Sequence, residues 1–516
     1  MSALRVLDGM SQQAPARDTA DFIIIGSGPG GATVARVLAE AGFELIILEE
    51  GGEVKSSELR ADTWSAFRDY WRDQSLQVAK GRTFWPILQG CAVGGTTPIN
   101  GAIIHRIHEE IHSRWHDEGR LSERFSLQAL ERVYNTLDEE LRVRPVEEAV
   151  RGNNNRLFAQ GADALGWKNN VIRRNEAGCE GTGRCTQICP TGSKQSMDRN
   201  FLPYATARGA RLYSHARAER ILQTDGRASG VRGHFSHPVT RQRGERFEYQ
   251  ARHGVIVAAG AVHTPVLLRR SGLGRATPLV GERFMGHPGT SILVRYPDEV
   301  GMFRGATQGH ESTHYWHERM KFEVVGVTPA VAASRLPGFG RTLFDQIEDL
   351  PRTAHWGLQI RAEAQGRVRP GLFGGRPDIR YSFTKADVRT MKTALERLVT
   401  IAFASGAESI VPGVYGLPYE IRSIDEIRAI HALPDDPRLF HGICAHLFGT
   451  ASMGPDARNG VVNPEGESFA MKGLFVTDAS VLPTNMGVNP QHTICAFSWL
   501  IGEGIRARYQ PTQLGH

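Results

Sequence analysis

Three cysteines lie close together in CEGTGRCTQICPTGSK, residues 179–194, and their spacing could bring three sulfur atoms to one centre. Cys179, Cys185 and Cys189 follow the pattern C-x5-C-x3-C-P, and thiolates a few residues apart in a glycine-bearing loop can converge on an iron–sulfur cluster. Zinc would need a fourth ligand, and none is evident nearby in the sequence. The alternative is a tight loop with buried free thiols, because free cysteine is among the most buried residue types. The spacing alone leaves both open.

A second chemical signal is DFIIIGSGPGGATVARVLAEAGFELIILEEGG, residues 21–52, which has the spacing of a dinucleotide-binding unit. In its G-x-G-x-x-G, Gly26 permits a tight turn, Gly28 lets the backbone approach a pyrophosphate, and Gly31 allows a helix to pack closely on a strand. The helix N-terminus offers N–H groups to the phosphates. Glu49, at the end of the next apolar run, can accept hydrogen bonds from ribose hydroxyls. The unit predicts a dinucleotide site but does not separate FAD from NAD.

The elements that must position these residues can be read from the pattern of apolar side chains. Residues 22–25 and 45–48 are short, wholly apolar runs, which is typical of buried parallel strands. A helix-period pattern joins them. Residues 393–406 predict a helix that ends at a glycine, and residues 368–384 predict strands joined by Gly/Pro turns. The chain therefore combines a strand–turn–helix–strand unit with segments that lack this order.

Composition limits the possible functions. A chain of 516 residues predicts two or three domains, and 41% hydrophobic with 22% charged residues is ordinary for a globular protein. The net charge of +6 is mild, and no Lys/Arg run with interleaved aromatics predicts nucleic-acid binding. Six cysteines do not make a disulfide scaffold. The N-terminus has no apolar signal region and no run of about 20 apolar residues occurs, so we expect a cytoplasmic enzyme without a transmembrane segment.

Five further segments contain glycine turns, histidines and an aspartate in a characteristic order along the chain. They are GCAVGGTTPINGAIIHR at 90–106, GVIVAAGAVHTPVLLRRSGLG at 254–274, VGERFMGHP at 280–288, HLFGTASMG at 446–454 and GLFVTDASVLPTNMGVNPQHTICAF at 473–497. Together with the nucleotide motif they resemble the glucose–methanol–choline (GMC) family of flavoprotein oxidoreductases. The resemblance implies FAD as the cofactor and an alcohol as the reductant.

The same resemblance implies an α/β fold in which a Rossmann-like FAD-binding domain is interleaved with an α+β substrate domain on a mostly antiparallel sheet. The expected segments are 18–112, 197–290 and 438–510 for the FAD-binding domain, and 113–196 and 291–437 for the substrate-binding domain. Residues 1–17 are polar and are predicted to form a flexible arm.

Several residues are expected to contact the cofactor. The small residues Gly94, Gly95 and Thr96 would let backbone N–H groups reach a pyrophosphate or the ring edge. The resemblance implies that Asn100 lies near the reactive edge of the flavin, that the backbone of Ala218 meets the adenine, and that Asp478 closes the site near the ribityl and pyrophosphate region. The alternatives are a glycine-rich loop that only packs, an ordinary strand, and a helix N-cap.

A base and a hydrogen-bond donor are needed to oxidise an alcohol, because a proton leaves the hydroxyl and a hydride leaves the carbon. A neutral imidazole suits the first role. The resemblance implies that His446, in HLFGTASMG, is the base and that Asn489, in VNPQHT, positions the alcohol oxygen. We expect hydride transfer to flavin N5 and oxidation of a primary or secondary alcohol to the carbonyl. Tyr315, Trp316 and Trp356 would suit an apolar or aromatic alcohol, although core packing explains them equally well.

Two groups within the family bear on the cysteines. The spacing resembles that of cluster-bearing catalytic subunits of sugar or polyol dehydrogenases, but GSKQSM at 192–197 is closer to members that resemble long-chain alcohol oxidases. The electron acceptor would be oxygen, a quinone or a cytochrome. A non-redox flavin-containing lyase that resembles hydroxynitrile lyases is the alternative function on the same fold.

Overall fold

The computed structural model describes residues 3–55, 62–336, 338–372 and 376–512. The strands, in chain order, are β1 (Leu7–Asp8), β2 (Ala16–Ile25), β3 (Leu45–Leu48), β4 (Val78–Lys80), β5 (Phe84–Pro86), β6 (Val143–Pro145), β7 (Asn170–Val171), β8 (Arg173–Asn175), β9 (Arg211–Ser214), β10 (Ala216–Thr224), β11 (Arg227–Ser236), β12 (Arg243–Val257), β13 (Glu282–Arg295), β14 (His310–Ser312), β15 (Met320–Val324), β16 (Thr353–Ile360), β17 (Gly366–Arg369), β18 (Asp378–Arg380), β19 (Ser409–Val411), β20 (Gly442–Phe448) and β21 (Leu474–Val476).

The α-helices, in chain order, are α1 (Pro29–Glu40), α2 (Thr63–Tyr70), α3 (Glu109–Asp117), α4 (Leu127–Glu140), α5 (Glu148–Ala164), α6 (Phe201–Thr206), α7 (Gly260–Arg270), α8 (Leu273–Ala276), α9 (Pro329–Ala333), α10 (Gly340–Glu348), α11 (Lys385–Ala404), α12 (Ile424–Arg428) and α13 (Gln491–Arg508). In the described part of the chain no helix combines the length and the apolar character needed to cross a bilayer.

An eight-stranded sheet carries the glycine turn. Its order is β1-β9-β3-β2-β12-β11-β10, and β21 also pairs with β12. β2 pairs in parallel with both β3 and β12, so its second half lies between two strands and residues 20–25 are buried. A strand covered on both faces has to be apolar throughout, which explains the unbroken apolar run that the sequence shows. α1 and α13 pack against each other beside this sheet.

An eleven-stranded sheet forms the second large layer. Its order is β5-β4-β18-β17-β13-β16-β15-β14-β7, with β19 and β20 also paired to β13. β13 is antiparallel to β16, β17, β19 and β20, while β4 and β18 pair in parallel. α11 packs on β16 and begins with a capping box between Thr384 and Asp387. The predicted α/β fold, with a Rossmann-like part and a mostly antiparallel second sheet, is confirmed.

The N-terminal segment differs from the flexible arm predicted for residues 1–17. Leu7–Asp8 pairs in parallel with Tyr213 and Ser214, and β2 already begins at Ala16, opposite Phe247. The side chains in the first half of β2 are partly exposed, which is why polar residues are tolerated in this part of the strand. Polar side chains do not prevent backbone pairing, which is why composition alone suggested an arm.

The positions of several elements also differ from the expected domain boundaries. β4, β5 and β20, all expected in the FAD-binding domain, pair within the eleven-stranded sheet. Conversely, Trp115 of α3 and Leu130 of α4, expected in the substrate-binding domain, lie in the same hydrophobic cluster as β2 and α13. Short strands and amphipathic helices have no local signal for their partner, so tertiary packing decides where they lie.

Candidate active site

A cavity of about 1180 Å³ is lined by residues from both large sheets. It exceeds the roughly 300–1,000 Å³ usual for small-molecule sites, so it has room for a dinucleotide and a second small molecule. It includes the carboxyl ends of β2 and β3, where ligands bind in open α/β sheets. Of the residues predicted from the sequence, the cavity is lined by Gly26, Gly28, Glu49, Gly95, Thr96, Asn100, Ala218, His446, Asp478 and Asn489.

The glycine turn lies directly against the second glycine loop. Gly26 has a φ of +103°, and Gly28 precedes α1 without a side-chain cap, which leaves backbone N–H groups of the first helical turn free for a ligand. A Cβ atom on Gly95 would lie 2.6 Å from the Cα atom of Gly28, so two backbones meet where no side chain fits. Gly31 lies behind the lining, where a Cβ atom would be 1.9 Å from the carbonyl oxygen of Gly26. This cradle fits a pyrophosphate on the helix N-terminus.

Glu49 ties the two glycine loops together. Its Oε2 accepts hydrogen bonds from the Ser27 backbone N–H at 3.1 Å and hydroxyl at 2.6 Å, and its Oε1 accepts from the Gly51 N–H at 2.8 Å. The Ser27 hydroxyl in turn accepts from the Gly94 N–H at 2.9 Å. Burial raises the pKa of Glu49 despite these hydrogen bonds. Glu49 lines the cavity, and its contact with a ribose stays a prediction.

The next residue, Glu50, was missed by the sequence analysis. Its Oε2 lies 3.0 Å from Arg72 Nη1 and its Oε1 lies 3.7 Å from Arg217 Nε, and all three residues line the cavity. Burial alone would raise the pKa of Glu50, but Arg72, followed by His263 and Arg217, lowers it to about 2. The second glutamate after β3 could have been noticed in the sequence, because it follows Glu49 directly. Its partners Arg72 and Arg217 are far from it along the chain, so no local pattern indicated them.

Asp478 lines the cavity and accepts three hydrogen bonds, and its contact with FAD stays a prediction. Its Oδ2 accepts from the Gly260 N–H at 2.9 Å and the Thr264 hydroxyl at 2.5 Å, and its Oδ1 accepts from the Ser480 N–H at 2.7 Å. It therefore caps the start of α7 while it lines the cavity. Burial raises its pKa in spite of the hydrogen bonds.

The second glycine loop is joined to the start of α13. Asn100 Nδ2 donates to Gln491 Oε1 at 2.5 Å, and Asn100 Oδ1 accepts from the Ala102 N–H at 2.9 Å. Thr96 Oγ1 accepts from the Gly90 N–H at 3.0 Å. Ala218, which also lines the cavity, lies at a bulge of β10. These residues face one cavity, and their individual cofactor contacts remain predictions.

His446 and Asn489 come together from β20 and from the residue pair before α13. Their Nε2 and Nδ2 atoms lie 3.2 Å apart, and both side chains line the cavity. Burial, together with the charges of Lys321 and His105, lowers the pKa of His446 to about 3. The imidazole is therefore neutral at physiological pH, which is the form a base requires.

A buried lysine that no motif indicated lies behind Asn489. Lys321 on β15 donates to Asn489 Oδ1 at 2.9 Å, and it also contacts Glu311 Oε2 at 2.9 Å and Glu323 Oε2 at 2.6 Å. His105 Nε2 lies 2.8 Å from Glu311 Oε2. A charged network thus supports the amide from the side away from His446.

His287 contacts the other nitrogen of His446. The backbone N–H of Gly487 donates to His287 Nε2 at 2.8 Å, so the proton of neutral His287 is on Nδ1. That Nδ1 lies 3.2 Å from His446 Nδ1. Burial, with smaller contributions from His446, Lys321 and Arg361, lowers the pKa of His287 well below its usual value. His446 therefore has a hydrogen-bond donor beside each ring nitrogen. His287, in the segment VGERFMGHP, was not assigned a role from the sequence.

The cysteine loop brings its three thiols to one small cavity. Cys179, Cys185 and Cys189 line one small cavity, and all three thiols are free. Arg174 Nη2 donates to Cys185 Sγ at 3.0 Å, and Lys194 Nζ donates to the Cys185 carbonyl at 2.9 Å. Across the described ranges no group of three His, Cys, Asp or Glu side chains is arranged to hold a metal ion. The arrangement favours the alternative, a structural loop of free thiols, and a cluster held by the three cysteines stays a prediction.

Neighbouring charges shift the pKa values of two of the thiols in opposite directions. Burial would raise the pKa of Cys185, but Arg174 and then Lys194 outweigh it and lower that pKa. Burial, followed by the charge of Glu176, raises the pKa of Cys179 to about 11. Lys194 also donates to the carbonyl oxygen of Pro98 at 2.6 Å, which fixes the loop to the segment before Asn100.

Comparison with known proteins agrees with this geometry. The sequence pattern of the GMC oxidoreductase family matches residues 20–289 with its N-terminal part and residues 364–498 with its C-terminal part. The chain is 35% identical over 502 residues to an uncharacterised GMC-type oxidoreductase of Mycobacterium tuberculosis, covering 97% of this chain and 78% of the relative. It is 26% identical over 521 residues to a long-chain-alcohol oxidase of Arabidopsis thaliana, covering 94% of this chain and 66% of that protein.

The fold has solved counterparts. A structure of formate oxidase from Aspergillus oryzae superimposes with a TM-score of 0.72 at 16% identity, covering 95% of this chain and 99% of the other. A likeness at that identity supports the fold alone. The family patterns together cover most of the chain, so the chain belongs to the GMC oxidoreductase family. The predicted family, the oxidoreductase class and FAD as the cofactor are thereby confirmed.

Proposed function

We propose that the chain oxidises an apolar primary or secondary alcohol to the carbonyl compound, with FAD as the hydride acceptor. The observation that supports this most is the pair of His446 Nε2 and Asn489 Nδ2, 3.2 Å apart, in the cavity that also contains the glycine turn. A neutral imidazole beside an amide donor supplies the base and the oxygen-binding group that alcohol oxidation needs.

Each residue has a defined part in the proposed reaction. When bound, FAD supplies the hydride acceptor at N5 of its ring system. Asn489 Nδ2 donates a hydrogen bond to the alcohol oxygen and orients it. His446 Nε2 accepts the hydroxyl proton. The start of α13, which has no side-chain cap, leaves backbone N–H groups free next to Asn489, where they stabilise negative charge.

The proton of His446 has to be in the right place for this chemistry. Nε2 can accept the hydroxyl proton only when the ring carries its own proton on Nδ1. In the structure the N–H of His287 faces that same Nδ1. For Nε2 to act as the base, His287 therefore has to turn its N–H away from His446 when the alcohol binds.

Apolar side chains support an apolar substrate. The lining of the cavity that contains His446 includes Leu88, Val325, Val327, Val331 and Ile443. Tyr315, Trp316 and Trp356, which the sequence suggested for this role, pack in the hydrophobic cores instead. The long-chain-alcohol oxidase among the relatives is consistent with an alcohol that carries an apolar chain.

Flavin bleaching tests the proposal directly. Purified holoprotein is mixed without oxygen with a panel of straight-chain, branched and aromatic alcohols and with glucose and glycerol as polar controls. We expect apolar alcohols to bleach the flavin. The rate at which oxygen, a quinone or a cytochrome reoxidises the bleached flavin then ranks these three acceptors. His446→Ala should slow bleaching by about 10²–10⁴-fold, whereas His431→Ala, at a surface pair with Glu396, should not. If no alcohol bleaches the wild-type flavin, the proposed function is wrong.

A further inference from the structure

Lys321 is a buried cation whose three N–H donors meet three acceptors. Its side chain is 1% exposed, and its Nζ lies 2.6 Å from Glu323 Oε2, 2.9 Å from Glu311 Oε2 and 2.9 Å from Asn489 Oδ1. An ammonium group donates three hydrogen bonds and accepts none. The atom of Asn489 that faces Lys321 therefore has to be an acceptor.

This requirement assigns the orientation of the Asn489 amide. The two ends of an amide have nearly the same shape, so only its hydrogen-bond partners distinguish them. With Oδ1 held by Lys321, Nδ2 lies 3.2 Å from His446 Nε2 on the cavity wall. A flipped amide would place its NH₂ group against the ammonium, and two donors repel each other. Asn489 thus presents its NH₂ group to the cavity and not its carbonyl oxygen.

We propose that Lys321 is a positioning residue that holds the amide of Asn489 with its NH₂ group toward the alcohol oxygen. The inference rests on the proposed function, in which this oxygen gains negative charge as His446 takes its proton. An N–H donor stabilises that charge, while a flipped amide would present Oδ1, repel the charge and accept the hydroxyl hydrogen in competition with His446.

Two carboxylates keep Lys321 charged for this purpose. Burial alone would lower the pKa of Lys321, but Glu311 and Glu323 raise it above its usual value. Burial would raise the pKa of Glu311, but His105 and then Lys321 lower it to about 2. Gln308 Nε2 donates to Glu323 Oε1 at 3.1 Å. Glu311, Glu323 and Asn489 thus fix the cation from three sides.

The contact with Asn489 is not needed to neutralise the lysine. Glu311 and Glu323 already supply two negative charges, so the charge of Lys321 would be balanced without Asn489. The third donor instead reaches a side chain from a different segment, 168 residues away along the chain. This contact is the one that connects the charged network to the base.

The first test needs no substitution and no turnover. Neutron diffraction from a deuterium-exchanged crystal of the wild-type holoenzyme locates the amide deuterium atoms. We expect two deuterium atoms on the Asn489 atom that faces His446 and none on the atom that faces Lys321. The reverse arrangement would overturn the inference. If no alcohol bleaches the flavin, the proposed function is wrong. The orientation of the Asn489 amide seen by neutron diffraction would not be affected by that outcome.

The second test separates positioning from a structural role. Lys321→Met should lower kcat by about 10²-fold, as loss of one such donor does in other enzymes, with a much smaller change in KM. Lys392→Met is the matched control, because Lys392 is also a buried lysine and bonds Asp435 at 2.9 Å away from the cavity. It should change kcat by less than about 3-fold.

A double-mutant cycle shows whether Lys321 acts through Asn489. In an Asn489→Ala background, Lys321→Met should have little further effect on kcat, because the amide it orients is absent. If the loss in kcat is as large as in the wild-type background, or if Lys321→Met and Lys392→Met behave alike, Lys321 is not a positioning residue. The flavin content of each variant, measured from its absorbance, excludes loss of FAD as the cause.

Discussion

At the scale of single residues, the protonation of His446 sets the pH dependence of the proposed reaction. Its pKa is lowered to about 3 by burial and by the charges of Lys321 and His105. A base works in its unprotonated form, which is present above its pKa. We therefore expect the rate of flavin bleaching at low alcohol concentration to stay level between pH 8 and about pH 5, whereas a histidine with its usual pKa of about 6.5 would lose most of its activity over that range.

The measurement is a pH profile of kcat/KM with an alcohol that does not itself ionise. An acidic limb near pH 6.5 would contradict the lowered pKa of His446. The His431→Ala variant serves as the control, since this surface histidine pairs with Glu396 and lies away from the cavity. The profile of that variant should coincide with the wild-type profile.

At the scale of elements, the contact between two glycine loops holds the helix N-terminus in place for the cofactor. Gly95 has a φ of +63°, and a Cβ atom there would lie 2.6 Å from the Cα atom of Gly28. Gly95→Ala should push the loops apart and weaken FAD binding by at least about 10-fold, since each 1.4 kcal/mol lost is a factor of ten.

A matched control separates the clash from backbone strain. Gly209 also has a positive φ, +92°, but nothing lies within 4 Å of the position of its Cβ atom. Gly209→Ala should cost about 1 kcal/mol of stability from the left-handed backbone and leave FAD affinity unchanged. The FAD content after dialysis and the dissociation constant from flavin fluorescence provide the test. Equal FAD affinities in the two variants would contradict the close-approach argument.

The same elements explain how much could be predicted from the sequence. The β2–α1–β3 unit and its glycines are local, so spacing alone predicted them. The contact between Gly95 and Gly28 is not local, and no spacing rule expresses it. The network of Lys321 was missed because its members come from separate segments: His105 lies in the 90–106 segment but was given no role, and Glu311 and Glu323 lie outside every motif. Buried charge is decided by partners that only the fold brings together.

At the scale of the whole molecule, neutral histidines around the cavity make the stability depend on pH. Burial is the largest cause that lowers the pKa of His263 to about 3 and of His355 to about 4, and His446 behaves in the same way. All three line the cavity. Glu49 and Asp478, whose pKa is raised by burial, act in the opposite sense from about pH 4 upward, so they offset part of the effect of the histidines. The three histidines lower the free energy of unfolding in the window between about pH 6.5, their usual pKa, and about pH 4, the lowered pKa of His355.

The sign follows from which state binds more protons. Below pH 6.5 the unfolded chain protonates these histidines and the folded chain does not, so the free energy of unfolding falls as the pH falls. Each histidine contributes about 1.4 kcal/mol per pH unit inside the window, and this contribution is fully present above about pH 6.5.

We expect unfolding at pH 5.5 to take up protons, with His355 accounting for about 0.9 of a proton. His355→Gln should reduce the uptake by that amount, measured in weakly buffered denaturant with a pH electrode. His431→Gln at the surface is the control, and an equal reduction in both variants would show that burial at the cavity is not the cause.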